Sequence, residues 1–134
     1  LLTAVVMIGI QFVPVERTNP PSTGMIDAPE EVMVVLRRSC FDCHSNETVW
    51  PWYSYVAPVS WLVADDVLDG RRHLNFSEWS TYIPKRQNHK RTEIGEMVEV
   101  GIMPLWFYVP LHPKAEMSED DIALLVAWSL EESQ

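Results

Sequence analysis

The sequence predicts an all-α fold, a small helical domain with an apolar helix at its N-terminus. Apolar residues recur at the spacing of a helix face in four segments, each bounded by a proline, a glycine or a small polar cap. No run keeps the two-residue period of a strand for long, and no internal repeat is present. The 134 residues are enough for one compact core.

Residues 1–15 begin with Leu1 to Val13, almost wholly apolar, interrupted by Thr3 and Gln11 and stopped by Pro14 and the charged Glu16 and Arg17. This reads as an N-terminal membrane anchor or uncleaved signal segment, truncated at its start. Spanning a bilayer as a helix takes about 20 residues, and no small-residue cleavage site follows the run. A buried core helix is the third reading. The expected location is the periplasmic side of a bacterial cytoplasmic membrane, N-terminally anchored, or exported and soluble if the segment is cleaved. Residues 16–29 contain Pro20, Pro21, Pro29, Gly24 and several small polar residues, the composition of an extended tether. The domain proper is expected over 30–134.

Within it, Pro29, Glu30 and Glu31 make a favourable first turn, and Val32, Val35, Leu36 and Ser39 share one face of a helix running into Cys40. Pro58 opens a second helix with Val59, Leu62, Val63 and Val67 on one side and Gly70 placed to end it. Asn75 or Ser77 caps a short turn carrying Trp79. A third helix spans Thr92 to Val100, with Ile94, Met97 and Val98 apolar and Gly101 at its stop. In the last helix Ser118 is the cap, and Glu119, Asp120 and Asp121 fill the first turn. Ile122, Leu125, Val126 and Ser129 form its face beside Leu124 and Trp128.

Cys40-Phe41-Asp42-Cys43-His44 is a C-x-x-C-H sequence. Two residues between the cysteines let both thiols reach the two vinyl positions on one edge of a haem, and the adjacent histidine turns beneath the ring to bind iron. The expected cofactor is one covalently bound haem c. A thioredoxin-like dithiol sits in a βαβ pattern that is missing here. Half of a zinc site needs a second ligand pair, and His73, His89 and His112 are scattered with no further cysteine.

The sixth iron ligand must reach the far face of the ring from an irregular segment downstream. Met103, followed by Pro104 and the aromatic stretch Leu105-Trp106-Phe107-Tyr108, fits that requirement. His112, in a proline-flanked loop, is the alternative. Six tryptophans are many for this length; such rings either fill a small core or wrap something flat and apolar. Trp50, Trp52 and Tyr53 are candidates to pack on the ring edge and to reach a haem propionate through an indole N–H or phenol O–H. Arg71, Arg72, Lys85, Arg86 and Arg91 are alternative propionate partners.

A net charge of −9 excludes a nucleic-acid binder, which needs clusters of Lys and Arg. Redox partner proteins, basic-surfaced or membrane-embedded, are the expected partners, beside the membrane itself through the N-terminal helix. The acid surplus also serves solubility.

The order of helix, C-x-x-C-H, long middle, Met-Pro and capped terminal helix resembles a small class I cytochrome c from about Pro29 onward. A closer resemblance is to the bacterial haem-binding domain family. It is carried by Phe12-Val13-Pro14-Val15, Arg17-Thr18-Asn19-Pro20-Pro21, Cys40 through Asn46, Trp50-Pro51-Trp52-Tyr53-Ser54, Ala57-Pro58-Val59-Ser60-Trp61, Asn75-Phe76-Ser77-Glu78-Trp79, and Met103-Pro104 before Tyr108. The resemblance implies an exported c-type haem protein and no particular reaction. The Trp- and Tyr-rich stretch from Val49 to Trp79 departs from simple class I cytochromes.

The function expected is single-electron transfer by a monohaem cytochrome, with His44 and Met103 on the iron, rather than catalysis. The alternatives are a ligand sensor or peroxidase-like enzyme with a labile sixth site, and a fixed haem subunit of a membrane respiratory or photosynthetic complex. No G-x-S-x-G, H-E-x-x-H or nucleotide-binding glycine loop is present.

Overall fold

The computed structural model describes residues 2–131, which form six α-helices joined by short 3₁₀ turns and extended segments. The all-helical expectation holds. The expectation of an N-terminal membrane helix does not. Helix α1 covers Leu2–Gly9, eight residues, and passes into a 3₁₀ turn at Ile10–Phe12. Among the described residues no helix is long and apolar enough to cross a membrane. After the turn, Gln11 takes its amide to the domain, donating to the Ala57 carbonyl at 3.1 Å and accepting from the Ala57 N–H at 2.9 Å. The location on the periplasmic side of a membrane, which rested on that anchor, is corrected with it.

Residues 16–29 are extended, as their prolines require, and lie along the domain. Thr23 and Gly24 donate to the Ser77 carbonyl, Ile26 donates to Phe76, and the Ile26 side chain enters the core. Helix α2 (Glu30–Ser39) buries Val32, Val35, Leu36 and Ser39, the face expected from their spacing. Helix α3 (Phe41–His44) is a single turn.

Helix α4 (Val59–His73) runs through Gly70 instead of stopping there. Gly101, with φ 72°, is the one described residue in the left-handed conformation a glycine helix stop uses. Gly70 has a different task, described below. Of the face its apolar spacing suggests, α4 buries Val67 alone. It buries Ser60, Ala64 and Val67, while Val59 and Leu62 are exposed. Val59, Leu62 and Val63 line a cavity beside Cys43 rather than a packed core.

Helix α5 (Pro84–Glu99) begins at Pro84 rather than at Thr92. Its first half, Lys85 to Arg91, is polar and solvent-facing for the most part, so apolar periodicity is silent there. Helix α6 (Glu119–Ser129) crosses α5 at Gly95, where a Cβ would lie 2.0 Å from Ser129 Oγ. Leu36, Phe76 and Leu125 are fully buried in the core formed by α2, α5, α6 and the 75–79 loop.

The cap of α6 is the one expected. Ser118 Oγ accepts from Asp121 N–H at 3.1 Å, and Asp121 Oδ2 accepts from Ser118 N–H at 2.8 Å. The Asp121 carboxyl is held below the usual carboxylate range by the Ser118 N–H, the Ser118 hydroxyl and Arg38, whose guanidinium on α2 lies 2.7 Å away. Ser118→Ala is expected to cost about 1 kcal/mol in urea unfolding. Because the folded Asp121 pKa is depressed, its contribution is complete above pH about 4, the unfolded value. It is lost as pH falls through the folded value, so the gap between wild type and S118A should narrow in acid.

Candidate haem site

The chain leaves α2 at Cys40 and closes the single turn of α3 at once: Cys43 and His44 N–H groups both donate to the Cys40 carbonyl, at 3.2 and 2.9 Å. Spacing of three and four residues puts Cys40, Cys43 and His44 on one side of that turn. Phe41 goes the other way into the core and stacks on Phe76 with 5.1 Å between ring centres. One turn thereby separates the residues that anchor the motif from those that face a ligand.

The His44 ring is oriented by α4. Its Nδ1 donates to the carbonyl of Gly70 at 2.9 Å and to that of Leu74 at 3.1 Å. Both acceptors are carbonyl oxygens, so Nδ1 carries the proton and Nε2 keeps its lone pair. Burial lowers the His44 pKa, favouring the neutral form a metal needs. Gly70 makes this contact feasible. A Cβ there would lie 2.5 Å from the Cys43 carbonyl oxygen, so only glycine lets α4 approach α3 this closely.

Both cysteines are free thiols, and burial pushes each up to about 12. A reactive dithiol or a zinc ligand pair requires the thiolate, which this environment disfavours. Among the described residues no cluster of three or more His, Cys, Asp or Glu is arranged to hold a metal ion.

Two adjoining cavities open against the motif. The larger, ≈ 290 Å³, is bordered by Cys40, His44, Phe76, Ile94, Met97 and Met103; the second, ≈ 150 Å³, by Cys43, His44, Gly70, Met103, Pro104 and Tyr108. His44, Met103 and Pro104 border both. Met103 arrives there because Gly101 ends α5 and the N–H groups of Ile102 and Met103 both return to the Met97 carbonyl. His73 and Ser39 also line both, and Ser39 Oγ is buried without a partner among the described residues.

The other expected residues lie elsewhere. His112 borders neither cavity containing His44. Its ring stacks on Tyr108 at 3.9 Å, and the Tyr53 hydroxyl lies 3.2 Å from its Nε2. Tyr53 and His112 line a third cavity that includes Cys43. Trp50 Nε1 is buried without a hydrogen-bond partner among the described residues, and Trp52 is 78% exposed.

Of the cations, Arg71 is committed to the fold. Its guanidinium donates to the carbonyls of Ser45 and Thr18, to Asn19 Oδ1 and to Thr48 Oγ1. Arg72 pairs with Asp69, Arg86 lies over Tyr82 and Arg91 over Trp128. Lys90, which borders the larger cavity, is paired with Glu93 at 2.6 Å.

Three contributions went unseen in the sequence. The Gly70 and Leu74 carbonyls are backbone groups and carry no residue signal. Asp42, between the cysteines, is held by the Tyr108 hydroxyl at 2.7 Å and the Val49 N–H at 3.0 Å, which ties the loop after Met103 to the motif. Ser45 and Asn46, directly after the motif, join Asn75 and Ser77 in a buried network: Asn75 Nδ2 donates to Asn46 Oδ1 at 2.9 Å, and Asn46 N–H to Ser77 Oγ at 2.9 Å. The run of small polar residues at both places was the available sign.

The donor set and the space beside it fit a haem. A neutral imidazole with its outer nitrogen free, a thioether sulfur and two buried thiols border a largely apolar slot. The fold and the site together define a small helical haem protein. The family model described as haem-binding domain matches residues 5–131, and the chain belongs to that family. No curated protein and no solved structure matches it.

Proposed function

We propose that this protein is a monohaem c-type cytochrome that passes single electrons between redox partner proteins. Cys40 and Cys43 would hold the haem through thioethers, and His44, through Nε2, and Met103, through its sulfur, would ligate the iron. The observation that carries the reading is the shared border: His44, oriented by two carbonyls, and Met103 line the same two cavities. When bound, the haem supplies one-electron chemistry between ferric and ferrous iron.

The chain's part is to hold its ligands still. His44 is fixed by α4, the Asp42–Tyr108 hydrogen bond closes the loop after Met103 over the motif, and apolar side chains line much of the slot. A site held this rigidly would limit the rearrangement that accompanies electron transfer, and a thioether ligand would raise the potential.

The test is the visible spectrum of oxidised and dithionite-reduced protein, with and without carbon monoxide, beside a denaturing gel stained for haem. Haem retained on the denatured chain and a reduced spectrum unchanged by carbon monoxide support the proposal. Ready binding of carbon monoxide by the wild type would favour the sensor or peroxidase reading, and haem lost from the denatured chain would refute covalent attachment. Met103→Ala is expected to admit carbon monoxide and to lower the reduction potential; an unchanged spectrum and potential would remove Met103 from the iron and return His112 to consideration.

A further inference from the structure

The third cavity, ≈ 160 Å³, shares Cys43 with the haem slot but neither His44 nor Met103. Its walls are largely apolar, with Val59, Leu62, Val63 and Val67 from α4 and Phe107 and Leu111 from the segment after Met103 among them. An apolar space of about 150 Å³ accepts one benzene ring, so the volume suits a single six-membered ring.

The polar groups at its border narrow the ligand further. No Lys or Arg lines it, while Asp42 and Asp66 do, so an organic anion would find no lysine or arginine partner there and would meet two carboxyl groups. Both Asp42 oxygens are engaged, by Val49 N–H and by Tyr108 O–H. The Tyr53 hydroxyl is taken up with His112. Asp66 remains: among the described residues no hydrogen bond or ion pair engages its carboxylate, although it borders this cavity and the haem slot alike. Burial, followed by the charges of Asp65 and Asp69, raises its pKa, which suits an acceptor for a neutral O–H donor. A polar acceptor lining an apolar wall is best satisfied by a ligand that is apolar except for one donor.

We propose that this cavity binds a neutral single-ring phenol, hydroquinones included, with the ring among the α4 aliphatic side chains and its hydroxyl donated to Asp66. Placing that ligand at the haem edge rests on the haem attachment proposed above, because Cys43 lies between the two spaces. The site would then be an access point for a small organic electron donor.

The experiment is a titration of the haem-loaded protein with 4-methylphenol, toluene, benzoate and benzylamine, followed through the methyl NMR signals of Leu62, Val63 and Val67. Saturable shifts with 4-methylphenol are expected, with toluene at least tenfold weaker and no saturation by benzoate. Leu62→Trp, at a position 66% exposed and therefore tolerant of substitution, should fill the cavity and weaken 4-methylphenol at least tenfold. Asp66→Ala, which removes the acceptor, should bring 4-methylphenol and toluene within about threefold of each other.

No saturable shift with 4-methylphenol, or equal affinity in Leu62→Trp, would overturn the site, and tighter binding of benzylamine would overturn the ligand class. The same sample is stained for haem and tested with carbon monoxide. Covalent haem that resists carbon monoxide, together with failure to bind 4-methylphenol, would sink this inference alone and leave the electron-transfer reading standing.

Discussion

His44→Ala is expected to abolish the six-coordinate spectrum of the haem-loaded protein and to reduce the loaded fraction recovered by at least tenfold. The magnitude follows from a comparison of shells. Losing an outer hydrogen-bond partner of a metal-bound histidine costs about 10–100-fold in metal affinity or activity. Losing the ligand itself must cost at least as much, and here it also leaves the carbonyls of Gly70 and Leu74 without their shared donor. The check is the ratio of haem absorbance to protein absorbance, with a haem-stained gel in parallel. Cys40→Ala with Cys43→Ala should complement it: haem, if retained, should leave the chain on denaturation. A wild-type spectrum in His44→Ala would mean that the C-x-x-C-H histidine is not the iron ligand.

Gly70→Ala should reach the same site without touching any group that binds iron. Replacing a glycine inside an exposed helix normally stabilises it by up to about 1 kcal/mol, because alanine restricts the unfolded chain. At position 70 the added Cβ would lie 2.5 Å from the Cys43 carbonyl oxygen and 3.1 Å from its carbonyl carbon. These are backbone atoms, which cannot swing aside as a side-chain tip does. Overpacking costs of about 1–3 kcal/mol exceed the propensity gain, so net destabilisation is expected, with a displaced His44 as its local form. Thermal unfolding should show a lowered Tm, and the absorbance of the haem-loaded variant should report weakened axial ligation. Gly9→Ala is the control, since nothing lies within 4 Å of a Cβ there. Were both variants equally stable, the close approach of α4 to the motif would be disproved.

Much of the frame was legible because it rests on local rules. The face of α2, the Ser118–Asp121 capping box and the Gly101 stop follow from side-chain spacing and from the backbone demands of helix ends, which depend on neighbours in sequence. Periodicity misled at α4 for an instructive reason. An apolar face announces something to be covered, not what covers it, and Val59, Leu62 and Val63 turn toward a cavity instead of a helix. The start of α5 was hidden for the converse reason: a polar, solvent-facing turn has no periodic signal to give. At the apolar N-terminus, composition shows the hydrophobic run but not its path. An eight-residue helix ends in a turn, and Gln11 finds its partners on Ala57.

The same division runs through the site. That Cys40, Cys43 and His44 lie together was determined by the sequence, since three groups within five residues need only one turn of backbone to share a side. Which face of His44 is free, why residue 70 must be glycine, and whether Met103 or His112 shares a space with His44 were decided by tertiary structure alone. Each depends on whether segments 26 to 68 positions apart in the chain are brought to the same place, as Gly70 and Met103 are and His112 is not. Local chemistry can write such groups into a sequence, but only the packing of α4 and of the loop after α5 brings them to the motif.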